Sequence, residues 1–256
     1  MICFPNVKIN LGLNIVSKRE DGYHNIETVF YPIALKDSLE IVPAKGSKGI
    51  FVQSGIPVDG KPDNNLVIKA YHLFKSKFSI PEIDIYLRKN IPSGAGLGGG
   101  SADAAFMIKL LNDFAESGLN NKEMEDLAAQ LGADCPFFIE NKPVFAEGIG
   151  NVFSPMTVSL EDYHIVVNKP DTCVSTQEAY AHVRTRKPII PIREILSDPV
   201  ETWKDRLVND FEASVFEKYP EIEAVKKKMY DDGAVYASMS GSGSAVFGIF
   251  GKKSGG

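Results

Sequence analysis

The chain has 256 residues, of which 44% are hydrophobic and 24% charged, and its net charge is −5 at pH 7. These values exclude a disordered chain, and the acidic balance argues against nucleic acid as the main partner because a phosphate backbone requires a basic face. The three cysteines have no C-x-x-C spacing, which predicts free thiols in a reducing compartment. With no charged-then-apolar leader and no apolar run near the ~18 residues of a membrane span, we expect a cytoplasmic protein without a membrane partner.

The first elements predicted along the chain are strands. Apolar and polar residues alternate over residues 7–16, which predicts a half-buried strand. Further strands are predicted over residues 28–33, 38–42, 49–53 and 83–87. Between the last two, apolar residues recur at helical spacing after Asn64 and Asn65, a pair that suits the N-cap region of a helix beginning near Leu66.

Residues 92–101, here called the glycine loop, follow the strand predicted over residues 83–87 and contain Gly94, Gly96 and Gly98 to Gly100. Each glycine loses backbone entropy worth roughly 0.5–1 kcal/mol relative to alanine, so a plain turn would use fewer. Helices are predicted over about residues 102–116 and 122–131, with Ser101 at the N-cap of the first. This arrangement directs free N–H groups and the positive end of the helix dipole at one point, which predicts a polyphosphate site.

Other phosphate-binding motifs fit the glycine loop less well. Gly94, Gly96 and Gly99 satisfy G-x-G-x-x-G, but that signature alone is weak. A dinucleotide-binding unit needs a second strand ending in an acidic residue ~20 positions further on, where a helix is predicted instead. The Gly-Lys-Ser/Thr of a Walker A loop is absent from these residues. A tightly packed helix entry without a ligand remains the alternative.

The composition changes near residue 157, which predicts a first domain over residues 1–157 and a second over 158–256. Strands are predicted within residues 143–156 and at 165–167, and helices over residues 177–183, 203–216 and 221–230. Two further strands flank residues 239–243, here called the second glycine motif. The whole pattern predicts an α+β protein.

Three motifs in this order resemble those of the GHMP kinases, which include galactose, homoserine, mevalonate and phosphomevalonate kinases. They are Pro5-x-x-Lys8-x-Asn10, the glycine loop with its continuation to Ala105, and the second glycine motif. The resemblance implies a two-domain GHMP kinase fold, with a ribosomal-protein-S5-like N-terminal β/α domain, a ferredoxin-like C-terminal α/β sandwich and an active site in the cleft between them. It also implies an ATP-dependent small-molecule kinase that uses Mg²⁺ with its nucleotide.

Four further segments resemble one branch of this family, whose small-molecule substrate carries a cytidine diphosphate group. They are residues 18–26, 131–138, 146–150 and 208–212. The resemblance implies that Tyr23 and His24 hold the cytidine and that Tyr180 is a second stacking aromatic; a tyrosine face can stack on a pyrimidine. An ordinary exposed turn is the alternative for Tyr23 and His24.

Phosphoryl transfer to an alcohol needs charge neutralisation and an acceptor for the hydroxyl proton. Asp134 is the candidate base, although an aspartate after a helix is often a turn residue that bonds its own backbone. The resemblance places Lys8 beside it, where an ammonium would keep the carboxylate ionised and offset charge on the transferring group. Asn10 lies two residues further along the same strand face and is predicted to bind substrate.

The predicted nucleotide-binding residues lie in the glycine loop and in an adenine pocket implied by the resemblance. The loop residues are Pro92, Ser93, Gly94, Ala95, Gly96, Leu97, Gly98, Gly99, Gly100 and Ser101, and those of the adenine pocket are Asn65, Leu66 and Lys89. The second glycine motif is predicted to wrap the substrate phosphates or to pack near the glycine loop.

No acidic cluster has metal-ligand spacing, so no protein ligand to Mg²⁺ is predicted, and Asp103 is interpreted as a first-turn residue that suits the helix dipole. A monomer or weak homodimer is expected. Two alternatives stay open: another GHMP kinase, of the homoserine or mevalonate type, and a nucleotide-binding relative without turnover.

Overall fold

A computed structural model describes residues 1–58, 60–181, 183 and 185–251. The strands, in chain order, are β1 (Ile2–Cys3), β2 (Asn6–Lys18), β3 (His24–Lys36), β4 (Ser38–Pro43), β5 (Phe51–Gly55), β6 (Ile83–Lys89), β7 (Val144–Glu147), β8 (Val152–Pro155), β9 (Tyr163–Asn168), β10 (Tyr236–Met239) and β11 (Val246–Gly251). The α-helices are α1 (Leu66–Lys75), α2 (Gly99–Phe114), α3 (Asn121–Ala128), α4 (Phe137–Glu140), α5 (Thr176–Ala181), α6 (Ile192–Ile195), α7 (Glu212–Lys218) and α8 (Pro220–Asp231).

The chain divides into two compact units that are not contiguous in sequence. The first contains Met1–Lys8, Pro32–Ser93 and Gly98–Lys142, and the second contains Ile9–Tyr31, Gly94–Leu97 and the chain from Pro143 onward. The domain limits 1–157 and 158–256 stay a prediction, and residues 252–256 lie outside the described part.

The first unit is built on a four-stranded sheet with the order β1-β4-β6-β5. The pair β5–β6 is parallel and the other two pairs are antiparallel. Helix α1 begins where Asn65 accepts a hydrogen bond from the Val67 N–H at 2.9 Å, as its N-cap. Its buried residues, among them Val67, Ala70 and Phe74, follow the helical period and face the core. The predicted helix after Asn65 is therefore confirmed.

Helix α2 begins earlier than predicted. Its first residue is Gly99 and its N-cap is Gly98, which has a left-handed conformation with φ of 71°. Ser101 is therefore the third residue of the helix, and its prediction as the N-cap is wrong. The physical reason is that glycine adopts positive φ without penalty, so the loop turns into the helix three residues before Ser101.

The second unit contains two sheets, with the orders β2-β3-β7-β8 and β10-β11-β9. The described pairs β3–β7, β7–β8, β10–β11 and β11–β9 are antiparallel. One apolar core joins strands and helices of this unit, with members that include Ile15, Phe211, Val215, Ile222 and Val246.

The helix predicted over residues 203–216 is wrong. Trp203 begins a single turn, in which Leu207 N–H bonds its carbonyl at 2.9 Å, and the chain then extends so that Asn209 forms a parallel bridge with Leu13. Only the last part of that range is helical, in α7. The helix predicted over residues 177–183 is α5, and its residue 182 lies outside the described part. Among the described residues, no helix is long and apolar enough to cross a membrane.

Strand β2 is more deeply buried than its alternating pattern predicts. Every residue from Asn6 to Ile15 is buried, including the polar residues Lys8, Asn10 and Asn14. The prediction of a half-buried strand is therefore wrong for this stretch. Because burying polar groups costs free energy unless they are hydrogen-bonded or paired, these residues must be explained by their partners.

Candidate active site

The first unit brings Lys8 and Asp134 together as the sequence predicted. The Lys8 Nζ lies 3.5 Å from Asp134 Oδ2, and the side chains are 4% and 33% exposed, respectively. Burial lowers the pKa of the Lys8 ammonium, and the Asp134 carboxylate opposes this effect. The pair therefore combines a buried cation with a carboxylate that solvent, or another molecule, can reach.

This pair lies beside the N-terminus of α2. A Cβ built on Gly98 would come within 3.4 Å of the Lys8 Cε and 3.0 Å of Phe138 in α4. The carbon chain of Lys8 thus packs directly against the residue that opens the helix. Only glycine fits there, because the site combines a positive φ with closely packed neighbours.

Three glycines of the glycine loop have left-handed backbone: φ is 65° at Gly94, 76° at Gly96 and 71° at Gly98. Among the described residues, no side chain caps the N-terminus of α2. The first N–H groups of a helix have no partners within it, so they are available to an anion or to water. The predicted anion-binding geometry is thus present in the backbone.

In the second unit, the second glycine motif packs against Gly96. The Ser240 Oγ donates a hydrogen bond to the Gly96 carbonyl at 2.9 Å, and a Cβ on Gly96 would lie only 1.9 Å from the Ser240 carbonyl oxygen. Of the two roles predicted for this motif, packing near the glycine loop is the one that these contacts describe.

Asn209 holds the second glycine motif in position. Its Nδ2 donates to the carbonyls of Met239 and Gly241, both at 2.8 Å, and its Oδ1 accepts from the Phe211 N–H at 3.0 Å. The side chain is 3% exposed, so every polar atom is used inside the protein. The sequence of this segment resembles the family but does not indicate a role for Asn209, because its partners are distant in sequence.

Asn10, a predicted substrate-binding residue, lies in the same unit and is 2% exposed. Its Nδ2 donates to the Thr28 Oγ1 at 2.9 Å, and its Oδ1 accepts from Ser240 at 3.4 Å. A Cβ on Gly241 would lie 3.5 Å from the same oxygen. Asn10 is therefore part of the support of the second glycine motif.

The turn between β2 and β3 presents Tyr23 to solvent, with 62% of the residue exposed. The His24 ring stacks on the Tyr180 ring at 4.7 Å between centroids and 16° between planes, and Tyr180 packs edge-on against Phe211 at 4.8 Å. Burial, followed by the charge of Lys18, lowers the pKa of His24 and favours its neutral form. The structure thus brings two of the three predicted cytidine-binding residues into direct contact.

The three residues predicted for the adenine pocket differ in their positions. Asn65 caps α1 and donates to Gln53 at 3.2 Å, and a Cβ on Gly100 would lie 3.7 Å from Leu66. Leu66 therefore borders the start of α2. Lys89, by contrast, is 2% exposed, and its ammonium contacts the carboxylates of Asp37 and Asp103.

The buried cluster of Lys89, Asp37 and Asp103 was not predicted. Asp103, interpreted as a first-turn residue that suits the helix dipole, is 3% exposed and pairs with Lys89 at 2.7 Å. Asp37 also accepts from the N–H groups of Asn90 and Ile91, at 2.6 and 3.0 Å. A lysine at the last position of an apolar strand is the one sequence signal that could have indicated a buried cation.

Cys135, the residue after Asp134, is buried and hydrogen-bonded to Ser101 of the glycine loop. Burial raises the pKa of its thiol to about 11, while the Ser101 bond opposes this rise. The thiol is therefore neutral and acts as a packing group beneath the helix start. This contact was not predicted from the sequence.

Comparisons with known proteins find relatives that match most of the chain. The family model described as GHMP kinases N terminal domain matches residues 65–142, and the model described as GHMP kinases C terminal matches residues 194–255. A protein of Bacteroides fragilis named 4-diphosphocytidyl-2-C-methyl-D-erythritol kinase is 58% identical over 252 residues, covering 98% of this chain and 92% of its own.

Two solved structures are similar as well. A crystal structure of 4-(cytidine 5′-diphospho)-2C-methyl-D-erythritol kinase has a TM-score of 0.83 and 32% identity, covering 97% of this chain and 90% of its own. Mevalonate kinase of Methanococcus jannaschii has a TM-score of 0.73 at 14% identity, covering 98% and 91%, which shows a shared fold. The predicted two-domain α+β fold is confirmed.

Replacing Gly96 with alanine tests the contact between the two glycine segments. Both Gly96→Ala and the control Gly94→Ala force a positive φ on alanine, which costs about 1–2 kcal/mol. Around Gly94, however, no atom of the described residues lies within 4 Å of a built Cβ, whereas at Gly96 the Ser240 carbonyl lies at 1.9 Å. We expect Gly96→Ala to lower the free energy of unfolding in urea by at least about 2 kcal/mol more than Gly94→Ala. Equal losses would contradict the packing described here.

Proposed function

The chain belongs to the GHMP kinase family, and we propose that it transfers the γ-phosphate of ATP to the 2-hydroxyl group of 4-diphosphocytidyl-2-C-methyl-D-erythritol, in the non-mevalonate route to isoprenoids. Family membership makes the protein an ATP-dependent kinase of a small molecule. The choice of acceptor rests on the names of the relatives and on the cytidine-binding residues that the sequence predicts.

The observation that carries the proposal of phosphoryl transfer is the Lys8–Asp134 pair next to Gly98. The two charged atoms are 3.5 Å apart, and the lysine chain packs against the residue that opens α2. A helix N-terminus attracts phosphate, so a proton acceptor and a fixed cation lie beside the place where a phosphate group would bind.

In the proposed step, the acceptor oxygen forms a bond to the γ-phosphorus while the bond from that phosphorus to the β,γ-bridging oxygen breaks, and ADP leaves with the electron pair. The hydroxyl proton passes to Asp134, whose side chain is 33% exposed and accessible to an acceptor. Lys8 stabilises the negative charge of the transferring group. Its burial strengthens this interaction, because little water screens the charge.

We propose that Mg²⁺ accompanies the nucleotide and neutralises charge on its β- and γ-oxygens. In the described part of the chain, no group of three or more His, Cys, Asp or Glu side chains is arranged to hold a metal ion, so we assign the ion no protein ligand. The protein's contribution to phosphate binding comes from the backbone N–H groups of the glycine loop. Asn65 and Leu66 are proposed to border the adenine. Lys89 is proposed to affect nucleotide binding only from its buried position beneath the glycine loop.

The cytidine is proposed to bind at Tyr23, His24 and Tyr180. His24 and Tyr180 are already stacked on one another, and Phe211 supports Tyr180 from its edge. Tyr23 is exposed and free to cover a pyrimidine with its ring face. A neutral imidazole offers one donor and one acceptor to the edge of a base, which suits His24 to recognition of cytosine.

Acceptor specificity is tested by measuring ADP release with ATP, Mg²⁺ and four acceptors: 4-diphosphocytidyl-2-C-methyl-D-erythritol, homoserine, mevalonate and galactose. We expect turnover with the cytidylyl compound alone. Turnover with one of the others would retain phosphoryl transfer but contradict the cytidine site. Binding of ATP without ADP release in any mixture would instead support a relative that has lost catalysis.

Asp134→Asn tests the proposed base. The amide keeps the shape of the side chain but cannot accept the hydroxyl proton, so we expect kcat to fall by a factor of about 10²–10⁴ with little change in the KM for ATP. The control is Asp126→Asn on the surface of α3, which should leave kcat unchanged. A normal kcat in Asp134→Asn would exclude this residue as the base.

Tyr23→Ala tests the proposed cytidine contact. Loss of one stacking face should raise the KM for the cytidylyl acceptor about 5- to 100-fold, while the KM for ATP stays the same. Tyr23→Phe keeps the ring and should retain the normal value. If Tyr23→Ala has an unchanged KM for the acceptor, Tyr23 does not contact the base.

A further inference from the structure

Three ionisable side chains are buried together beneath the first turn of α2. Lys89 at the end of β6 is 2% exposed, Asp37 between β3 and β4 is 1% exposed, and Asp103 in α2 is 3% exposed. The ammonium contacts one oxygen of each carboxylate. One cation therefore faces two carboxyl groups, and the cluster carries a net charge of −1 whenever both are ionised.

The two carboxyl groups differ in their hydrogen bonds. Asp37 uses both oxygens, because Oδ1 accepts from the N–H groups of Asn90 and Ile91 and Oδ2 contacts Lys89. Asp103 uses only Oδ2, since its Oδ1 is buried and has no hydrogen-bond partner among the described residues. Burial raises the pKa of Asp103 to about 7, with Lys89 opposing and Asp37 adding to this rise. Asp103 can therefore exchange a proton near neutral pH.

The cluster lies within one helical turn of the glycine loop. Asp103 follows Gly99, the first residue of α2, by four positions, which places it one turn further along the helix. A Cβ on Gly99 would lie 3.6 Å from the Lys89 Nζ. A negative charge of the cluster thus lies directly behind the N–H groups that the helix offers to an anion.

The other ionisable groups around Asp103 do not compensate this charge. The Cys3 thiol of β1 is neutral, because burial, and then Asp103, raises its pKa to about 12. Lys109, further along α2, opposes this rise in the pKa of Cys3. The charged residues of α1, α3 and α4, and Glu40 of β4, belong to elements that also pack on α2, and all of them are at least partly exposed. The charge state of Asp103 therefore sets the charge of the cluster.

We propose that Asp103 is a positioning residue for the nucleotide, which takes up a proton when phosphate binds at the N-terminus of α2 and so keeps the buried cluster neutral. This inference rests on the proposed binding of ATP at the glycine loop. A bound phosphate disfavours a nearby carboxylate and favours its neutral acid. By linkage, ATP then binds most tightly below the pKa of Asp103 in the free protein, and its affinity falls as the pH rises through the higher pKa of the complex.

Isothermal titration of the protein with ATP and Mg²⁺, without acceptor, measures this linkage. Titrations in two buffers of different ionisation enthalpy give the protons taken up, and the series runs from about pH 6 to about pH 8.5. We expect the wild-type affinity to fall about three- to tenfold across this range, with net proton uptake near pH 7.

Asp103→Asn should remove this part of the proton uptake and its share of the pH dependence, because an amide does not titrate. Subtracting the proton uptake of Asp103→Asn from that of the wild type also removes the contribution of any proton that ATP itself exchanges. The control Asp113→Asn changes an exposed residue in the last turn of the same helix and should retain the wild-type behaviour. With saturating acceptor, the KM for ATP should lose its pH dependence in Asp103→Asn while kcat stays close to normal.

Identical proton uptake in wild type and Asp103→Asn would overturn the proposal. A wild-type protein that takes up no proton near pH 7 would also overturn it, and this second result does not depend on folding of the variant. A purely structural role would lower the unfolding temperature of Asp103→Asn without changing the proton uptake. Failure of the wild type to bind ATP at any pH would contradict the proposed function itself, and is distinguished by the absence of a binding signal.

Discussion

The open N-terminus of α2 is the constraint on which the rest of the structure depends. No side chain of the described residues caps this helix at Gly98, so its first N–H groups require an anion or water. Phe138 and the carbon chain of Lys8 leave no room for a side chain at Gly98, and Ser240 leaves none at Gly96. Glycine is therefore required at Gly96 and Gly98 because their surroundings are packed up to the backbone, whereas Gly94 has open space around it and is explained by its positive φ.

Strand β2 buries the polar residues Lys8 and Asn10 for two different reasons. A buried ion pair adds little net stability compared with apolar residues of the same volume, so stability does not account for Lys8 beside Asp134 at 3.5 Å. The proposed transfer step would account for it, because a preorganised charge needs no rearrangement during transfer. Asn10 is buried for a different reason, because its hydrogen bonds to Thr28 and Ser240 support the second glycine motif.

Local signals in the sequence were sufficient to predict an element wherever its hydrogen-bond partners are near one another in the chain. Asn65 caps α1 through a bond to Val67, two residues away, and the helical period of that segment is explicit. The glycine loop was predicted as an anion site from its glycines and its place between a strand and a helix. The start of α2 was not predicted correctly, because serine is a common N-cap whereas the actual cap depends on the left-handed backbone of Gly98. The pairing of Lys8 with Asp134 came from the family resemblance and not from any spacing.

Long-range hydrogen bonds explain what the sequence did not indicate. Trp203, Leu207 and Phe211 recur every four residues, as on a helix face, yet Asn209 between them is drawn into an extended conformation by its bonds to Met239 and Gly241. Lys89, predicted for the adenine pocket, is likewise paired with Asp37, which lies 52 residues away in the chain. Both side chains are buried, and their polar contacts join segments that are distant in the chain. Since the partners of such a residue can lie anywhere in the chain, its neighbours in sequence do not identify those partners, and only the folded structure does.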